Sequence, residues 1–539
     1  MDLSGWIDRN AAFAPGKVAL VCAGRELTYA DLAREIGRTA AALAACGVNC
    51  GDRVAYLGYN SAEQVNLLFA CARLGALFAP LSWRLAPPEH RAMLADCRPR
   101  VLVVADPFVG PTSAILDAAE AAVRVGIGTA HDGWIGYERF LANGTSPAPH
   151  ADEAHYTAPV LLCYTSGSTG QPKGVVLAQN ALFHNAVNSA HMHDLSSRDV
   201  VLTTLPLFHV GGLNIQTLPA LHCGATVVLH PRFEPQAAID ALENAGITLT
   251  VLVPAQLELL AREERWQSAD LSGLRAITTG STIIGEPFVR RNLQRGVPLL
   301  QVYGATETCP IAAYQRIADA ADHPGSVGRA ALHCDLRIVD ESGGEVAAGT
   351  TGEILVRGPN VMDGYWNKPR ESTAALDGGW YRTGDVGHAD RDGFLYVDGR
   401  CKDVIISGGE NVYPAEIENV LADCPDIMEV AVVGRPDDRW GEAIVAIIVP
   451  ARGAQLSVAT IGALLDGRLA RYKHPRDVIV ADSLPRTALG KLKREDLKRI
   501  ARREPAAGEA EIAASAPARA GAAGPKNPRP AGLSGTGVR

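Results

Sequence analysis

Short apolar runs at 101–104, 160–163, 200–205, 225–229, 248–253 and 299–303 alternate with stretches of helical periodicity such as 236–244 and 255–264. This alternation is the strongest constraint on the fold. Each run has the length of a strand and the intervening stretches can hold crossover helices, so layered α/β structure with parallel pairing is expected. At 539 residues the chain outgrows a single core, and at least two domains follow. From about residue 396 the pattern changes to strand-like runs at 404–406, 430–433 and 443–449, interleaved with helical patterns at 414–422 and 461–469. That reads as a smaller α+β unit. After about residue 503, Ala, Pro and Gly dominate, a composition expected to be disordered. The expected division is therefore a large N-terminal domain of several sheets in α/β layers over 1–398, a hinge at 399–403, a small domain over 404–502 and a tail over 503–539.

Charge narrows the functional classes. A formal net charge of -8 argues against nucleic-acid binding through phosphate neutralisation. The 11 cysteines run from Cys22 to Cys424 without paired spacing, which points to neither a zinc cage nor a disulfide framework and suits a reducing compartment. The start of the chain has no basic segment followed by an apolar run, and no apolar stretch reaches spanning length, so a cytoplasmic protein without an integral membrane segment is expected. Oligomeric state is left open, a homo-oligomer included.

One segment carries most of the chemistry. Tyr164-Thr165-Ser166-Gly167-Ser168-Thr169-Gly170-Gln171-Pro172-Lys173-Gly174 follows a strand-like run. Its glycines, Gly167 and Gly170 among them, let backbone approach phosphate oxygens. The hydroxyls of Thr165, Ser166, Ser168 and Thr169 donate hydrogen bonds, and Lys173 supplies charge. Pro172 stands where the Walker loop has glycine, so this is another kind of phosphate clamp. By composition alone a solvated Gly/Ser turn is an equal reading.

Five further motifs follow in order: Pro206-Leu207-Phe208-His209, Tyr303-Gly304-Ala305-Thr306-Glu307, Tyr381-Arg382-Thr383-Gly384-Asp385, Gly399-Arg400-Cys401-Lys402-Asp403 and Pro485-Arg486-Thr487-Ala488-Leu489-Gly490-Lys491. Together with the phosphate loop, the set resembles the adenylate-forming superfamily of acyl-CoA synthetases, peptide-synthetase adenylation domains and luciferases, over roughly residues 10 to 500. The resemblance implies an ATP-dependent carboxylic acid:CoA ligase. An acid would attack the α-phosphate of ATP to give an acyl-adenylate and pyrophosphate, and coenzyme A would then take the acyl group and release AMP.

Adenylation brings two anions together, so positive charge and orientation are needed. Glu307 has a carboxylate suited to Mg²⁺, and Thr306 can hydrogen-bond the α-phosphate, although a Thr-Glu pair after a strand is more often a helix cap. Asp385 follows Thr383-Gly384 in what reads as a tight turn, where its carboxylate can take both ribose hydroxyls. From the resemblance, Arg400 contacts the ribose and phosphate side, and Tyr303 stacks on adenine beside Gly304 and the neighbouring Gly280 and Ser281. The resemblance further makes Lys491 the cation bridging carboxylate and α-phosphate, Lys402 the hinge, and Gly408 and Gly409 the lining of the thiol tunnel. His209 resembles a residue near the acid carboxylate and thiol entry.

Gly211 and Gly212 resemble positions lining the acyl pocket. His209 stands where amino-acid-activating relatives carry aspartate, and no Arg or Lys lies between Leu205 and Leu221, so neither an α-amino acid nor a diacid is expected. A medium or long fatty acid is placed first, with a hydroxycinnamate or related aryl acid behind it. A stand-alone enzyme loading a carrier protein and a non-catalytic scaffold retaining the fold are the other readings.

Overall fold

The computed structural model describes residues 2–503 apart from 121, 129, 145–149, 152–154, 167–171, 283, 285, 408–409, 438 and 488–490. The tail over 503–539 falls outside the described residues save Arg503. Within them the chain is mixed α/β, as the alternation of apolar runs requires.

Two large sheets dominate. In the nine-stranded sheet, Val18–Cys22, Thr226–Leu229, Val200–Thr203, Leu249–Val251, Ala276–Gly280 and Leu299–Tyr303 lie side by side and parallel. In the eight-stranded sheet, Leu77–Leu81, Arg53–Leu57, Val101–Ala105 and Val123–Ile127 are parallel, and the hairpin Pro159–Ser166 and Pro172–Ala178 closes one side. One continuous apolar cluster joins the facing sides of both sheets through the helices between them. Helix Ala62–Leu74 is buried all round for this reason, and it reads AEQVNLLFACARL with no polar stripe. Separate clusters cover each outer face, one with helix Pro87–Cys97 and one with helix Pro235–Asn244. The result is five alternating layers.

A third sheet of Asp335–Val339, Gly352–Arg357, Trp380–Ala389, Leu376–Asp377 and Leu395–Arg400 packs Ile354, Val356 and Leu395 against Tyr303 at the end of the nine-stranded sheet. The fourth sheet uses only strands after residue 404. Ile427–Asp437 and Gly441–Pro450 form its long central hairpin, helices Pro414–Leu421 and Val458–Leu465 cover one face, and helix Arg494–Arg502 covers the other. Among the described residues no helix is long and apolar enough to cross a membrane.

Two local readings change. The run at 248–253 supports a strand only over Leu249–Val251, because Pro254 opens a helix for which Val253 is the cap. Asp385 is not in a tight turn but inside strand Trp380–Ala389. There Leu355 pairs with Arg382 and Glu353 with Val386, so residues 383–385 bulge opposite Ile354. Gly384 takes the left-handed conformation at φ 67°, and Thr383 Oγ1 donates to the Ile354 carbonyl at 2.7 Å.

Candidate active site

The bulge aims Asp385 inward, where it is 8% exposed. Its Oδ2 accepts the Tyr303 hydroxyl at 2.9 Å and its Oδ1 meets Arg400 Nε at 2.8 Å. Arg400 is the register partner of Asp385 on the adjacent strand, so pairing alone brings the two side chains together. The carboxylate raises the Arg400 proton affinity further, while burial and the same carboxylate raise the Tyr303 hydroxyl well above its usual value. One carboxylate thus ties the third sheet to the end of the nine-stranded sheet.

Gly304 follows Tyr303 in a loop with no room for a side chain: a Cβ there would lie 1.5 Å from the Pro310 carbonyl oxygen. Thr308 Oγ1 holds that loop, accepting from Ala305 N at 2.9 Å and donating to Pro310 O at 2.7 Å. Thr306 and Glu307 lie on the short 3-10 turn Thr306–Thr308 inside it. Glu307 Oε1 accepts the Tyr365 hydroxyl at 2.9 Å, and Lys173 Nζ sits 5.0 Å from the Tyr365 ring centroid. Tyr365 is therefore the bridge between the strand leaving the phosphate loop and the Thr306–Glu307 turn. Sequence reasoning missed it, since a lone tyrosine carries no local signal.

The phosphate loop spans the end of a hairpin. Thr165 pairs with Lys173 and Ser166 with Pro172, whereas Gly167, Ser168, Thr169 and Gly170 lie outside the described residues, as do Gly408 and Gly409. Gly280 ends its strand beside Val302, whose carbonyl oxygen would be 2.6 Å from a Cβ at 280, and Ser281 turns away with φ 72°.

His209 caps the turn Val210–Gly212, its Nδ1 accepting from Gly211 N at 3.0 Å. Burial first, then Lys491 and Arg84, push its imidazole down to about 4. A neutral ring whose Nδ1 accepts carries its proton on Nε2, so His209 has a hydrogen-bond donor to offer there and no basic lone pair. Two residues missed from sequence support it. Asn60 donates to Leu205 O at 3.0 Å and accepts from Leu207 N at 2.8 Å, fixing the approach to His209. Arg84 lies just beyond strand Leu77–Leu81, at the strand end where α/β ligand sites gather, with its guanidinium 4.9 Å from the Trp83 ring centroid. Gly211 leaves a Cβ position 3.1 Å from His209 Nδ1, and the space at Gly212 is taken by the Pro206 carbonyl oxygen at 2.3 Å.

Lys491 arrives from the other side. Thr487 N donates to Lys491 O at 2.7 Å and Lys491 N to Thr487 Oγ1 at 3.2 Å, which ties residue 491 to residue 487 beside the bridge of Arg486 to Leu492. Much of the side chain is open to solvent, yet the ammonium is crowded enough that burial, then Arg400, lower its proton affinity against the pull of Asp385 and Glu307. Lys491, Asp385, Arg400, Glu307 and His209 therefore share one cleft. Lys402 sits apart and exposed on the 3-10 turn Cys401–Asp403, between the strand carrying Arg400 and the fourth sheet.

Comparison with known proteins finds relatives over most of the chain. The family described as AMP-binding enzyme matches residues 7–366, and its C-terminal domain, described as AMP-binding enzyme C-terminal domain, matches 416–491. An indoleacetate–CoA ligase of Aromatoleum aromaticum is 57% identical over 94% of this chain and 99% of its own length. A feruloyl-CoA synthase of an Amycolatopsis species is 41% identical over 92% of this chain and 98% of its own. Among solved structures, o-succinylbenzoate CoA synthetase from Bacillus subtilis, in complex with its acyl-adenylate, superimposes with a TM-score of 0.81 at 32% identity, covering 92% of this chain and 97% of that one.

Proposed function

The chain belongs to the AMP-binding enzyme family and is a carboxylic acid:CoA ligase acting through an acyl-adenylate, and from that premise we propose that its acid is an aryl- or heteroaryl-acetic or -propenoic acid. The observation that carries the choice is 57% identity, over 94% of the chain, to a ligase named for indoleacetate. The relative named for feruloyl-CoA points the same way. This reverses the order expected from the sequence, which placed a medium or long fatty acid first and an aryl acid behind it.

On this reading Asp385 takes the ribose hydroxyls, backed by Arg400 and Tyr303, and the adenine lies along Tyr303, Gly280 and Ser281. Lys491 stands between the acid carboxylate and the α-phosphate, where its charge offsets the negative charge gathering as the P–O bond to pyrophosphate breaks. Thr306 and Lys173, with the loop of Thr165 and Ser166, hold phosphate oxygens. His209 offers Nε2–H to the acid carboxylate and keeps it in line. Glu307 would hold Mg²⁺: Tyr365 occupies one carboxylate oxygen and the other has no protein partner among the described residues, which suits an ion bound by one carboxylate and by phosphate oxygens. When bound, Mg²⁺ supplies charge neutralisation on the triphosphate.

In the second half-reaction the CoA thiol gives up its proton to solvent and its sulfur forms a bond to the acyl carbon as the acyl carbon–oxygen bond to AMP breaks. The 404–502 lobe must turn about Lys402 to withdraw Lys491 and admit the thiol along Gly408 and Gly409. The test measures kcat/KM for CoA thioester formation with indole-3-acetate, ferulate, decanoate and palmitate. Aryl acids are expected to exceed both fatty acids by ~10-fold or more, the factor that pocket shape alone supplies. A fatty acid matching or beating every aryl acid overturns the proposal.

A further inference from the structure

A directional chain of hydrogen bonds runs beneath this site. His193, at the end of helix Gln179–His193, is fully buried, and burial pushes its imidazole down to about 4, so the ring is neutral near pH 7. Its Nδ1 lies 2.8 Å from the Ser189 carbonyl oxygen, which can only accept. The single ring proton therefore sits on Nδ1 and leaves Nε2 as an acceptor. Nε2 is 2.8 Å from Thr278 Oγ1, so the Thr278 hydroxyl donates to it. With its proton committed, Thr278 Oγ1 accepts from Gln216 Nε2 at 3.4 Å.

That sequence of donors fixes the Gln216 amide. Nitrogen must face Thr278, and Oε1 must face away from it. Gln216 is 1% exposed, and Oε1 is buried with no hydrogen-bond partner. An orphaned buried acceptor is costly and uncommon, and one aimed by a neighbouring network invites a donor from outside the protein.

Its location says which donor. Gln216 belongs to the π-helical turn Leu213–Thr217, seven residues beyond His209, a form of helix often found at functional sites. Thr278 and Gly280 lie on the same face of strand Ala276–Gly280, and Gly280 is its last residue. The Gln216–Thr278 pair is thus one pleat, ~7 Å, further in than the strand end where nucleotide and carboxylate are placed. On the proposed placement of the acid carboxylate at His209, an acid inserted ring first would extend from there towards the Leu213–Thr217 turn that carries Gln216.

We infer that Gln216 Oε1 selects acids whose ring carries a hydrogen-bond donor, an indole-type N–H or a phenolic O–H, over isosteres without one. The inference rests on the aryl-acid reading above and sharpens it. An aliphatic chain has nothing to offer this acceptor.

The test compares indole-3-acetate with benzothiophene-3-acetate, in which sulfur replaces N–H, by kcat/KM for pyrophosphate release, in the full-length enzyme and in Gln216→Met. The unmodified enzyme is expected to favour the indole acid by ~10- to 100-fold, the factor for leaving one buried acceptor unpaired. Gln216→Met should bring that ratio near one, chiefly by losing the indole acid, a change in selectivity that a merely structural defect would not produce. A ratio near one in the unmodified enzyme overturns the inference and leaves the aryl-acid reading standing. A high ratio that survives Gln216→Met overturns the role of Gln216. Turnover of fatty acids with neither aryl acid accepted removes both. Where Gln216→Met does not fold, the unmodified enzyme's ratio decides, repeated with 4-hydroxy- and 4-fluorophenylacetate.

Discussion

Replacing Lys491 by alanine tests the division of labour in the cleft. The ammonium lies within electrostatic reach of Asp385, Glu307, Arg400 and His209. A unit charge ~4 Å from a phosphate oxygen contributes ~4 kcal/mol at the effective dielectric of a partly solvated site. Some of that is already present in the ground state, so ~3 kcal/mol remains for the transition state, or a rate loss of 100- to 1,000-fold. Because Lys491 is an exposed residue whose ammonium is only partly desolvated, folding stability should move by no more than ~0.5 kcal/mol. Two assays separate the half-reactions: ATP–pyrophosphate exchange with the preferred acid, and thioester formation from a synthetic acyl-adenylate and CoA. The first should fall by the full factor and the second by less than ~3-fold, since no pyrophosphate leaves in it. Equal losses in both would refute the reasoning, for Lys491 would then serve general binding or the fold.

Lys402→Pro should leave pyrophosphate exchange nearly unchanged and lower thioester formation by ~10-fold or more, because the 3-10 turn Cys401–Asp403 has φ values close to those proline imposes but could no longer swing; normal thioester formation would remove domain rotation from the mechanism. Acid should destabilise the protein through His193. Its folded value of about 4 lies below the ordinary 6.5, so between those limits the unfolded chain takes up a proton that the folded one refuses, and stability falls as pH drops through that window. The loss reaches ~3 kcal/mol by pH ~4. Urea unfolding across that range should show a pH slope that His193→Gln reduces by this amount.

The parts of this protein legible in sequence are those where local pattern and tertiary demand coincide. Strand Leu299–Tyr303 was readable as an apolar run because both faces of that sheet are covered, and helix Pro235–Asn244 because one face must stay wet. Asp385 stands out in the sequence as a candidate site carboxylate, but its setting does not. Thr383-Gly384 reads as a turn in isolation, and only the two-strand partnership with Ile354 converts it into a bulge. Asn60, Arg84 and Tyr365 were illegible for a different reason. Each reaches the site from a separate strand end or sheet edge, and nothing within a few residues of them marks that destination.

On the proposed mechanism, the way the cleft is assembled lets one site serve two half-reactions. Tyr303, Asp385 and Arg400 are joined by hydrogen bonds between strands that all precede Lys402, so turning the lobe beyond it breaks none of them. Glu307 is likewise held by Tyr365, and His209 by the backbone of Gly211. Lys491 is the exception. Its backbone is tied to Thr487, and among the described residues its links to the other cleft residues are electrostatic. Such contacts act over several ångströms without fixed geometry and can be made and released at small cost in a solvated cleft. On the proposed mechanism, the groups that must keep hold of the adenylate are locked by directional bonds, and the group that must leave before the thiol enters is held, among the described residues, by charge.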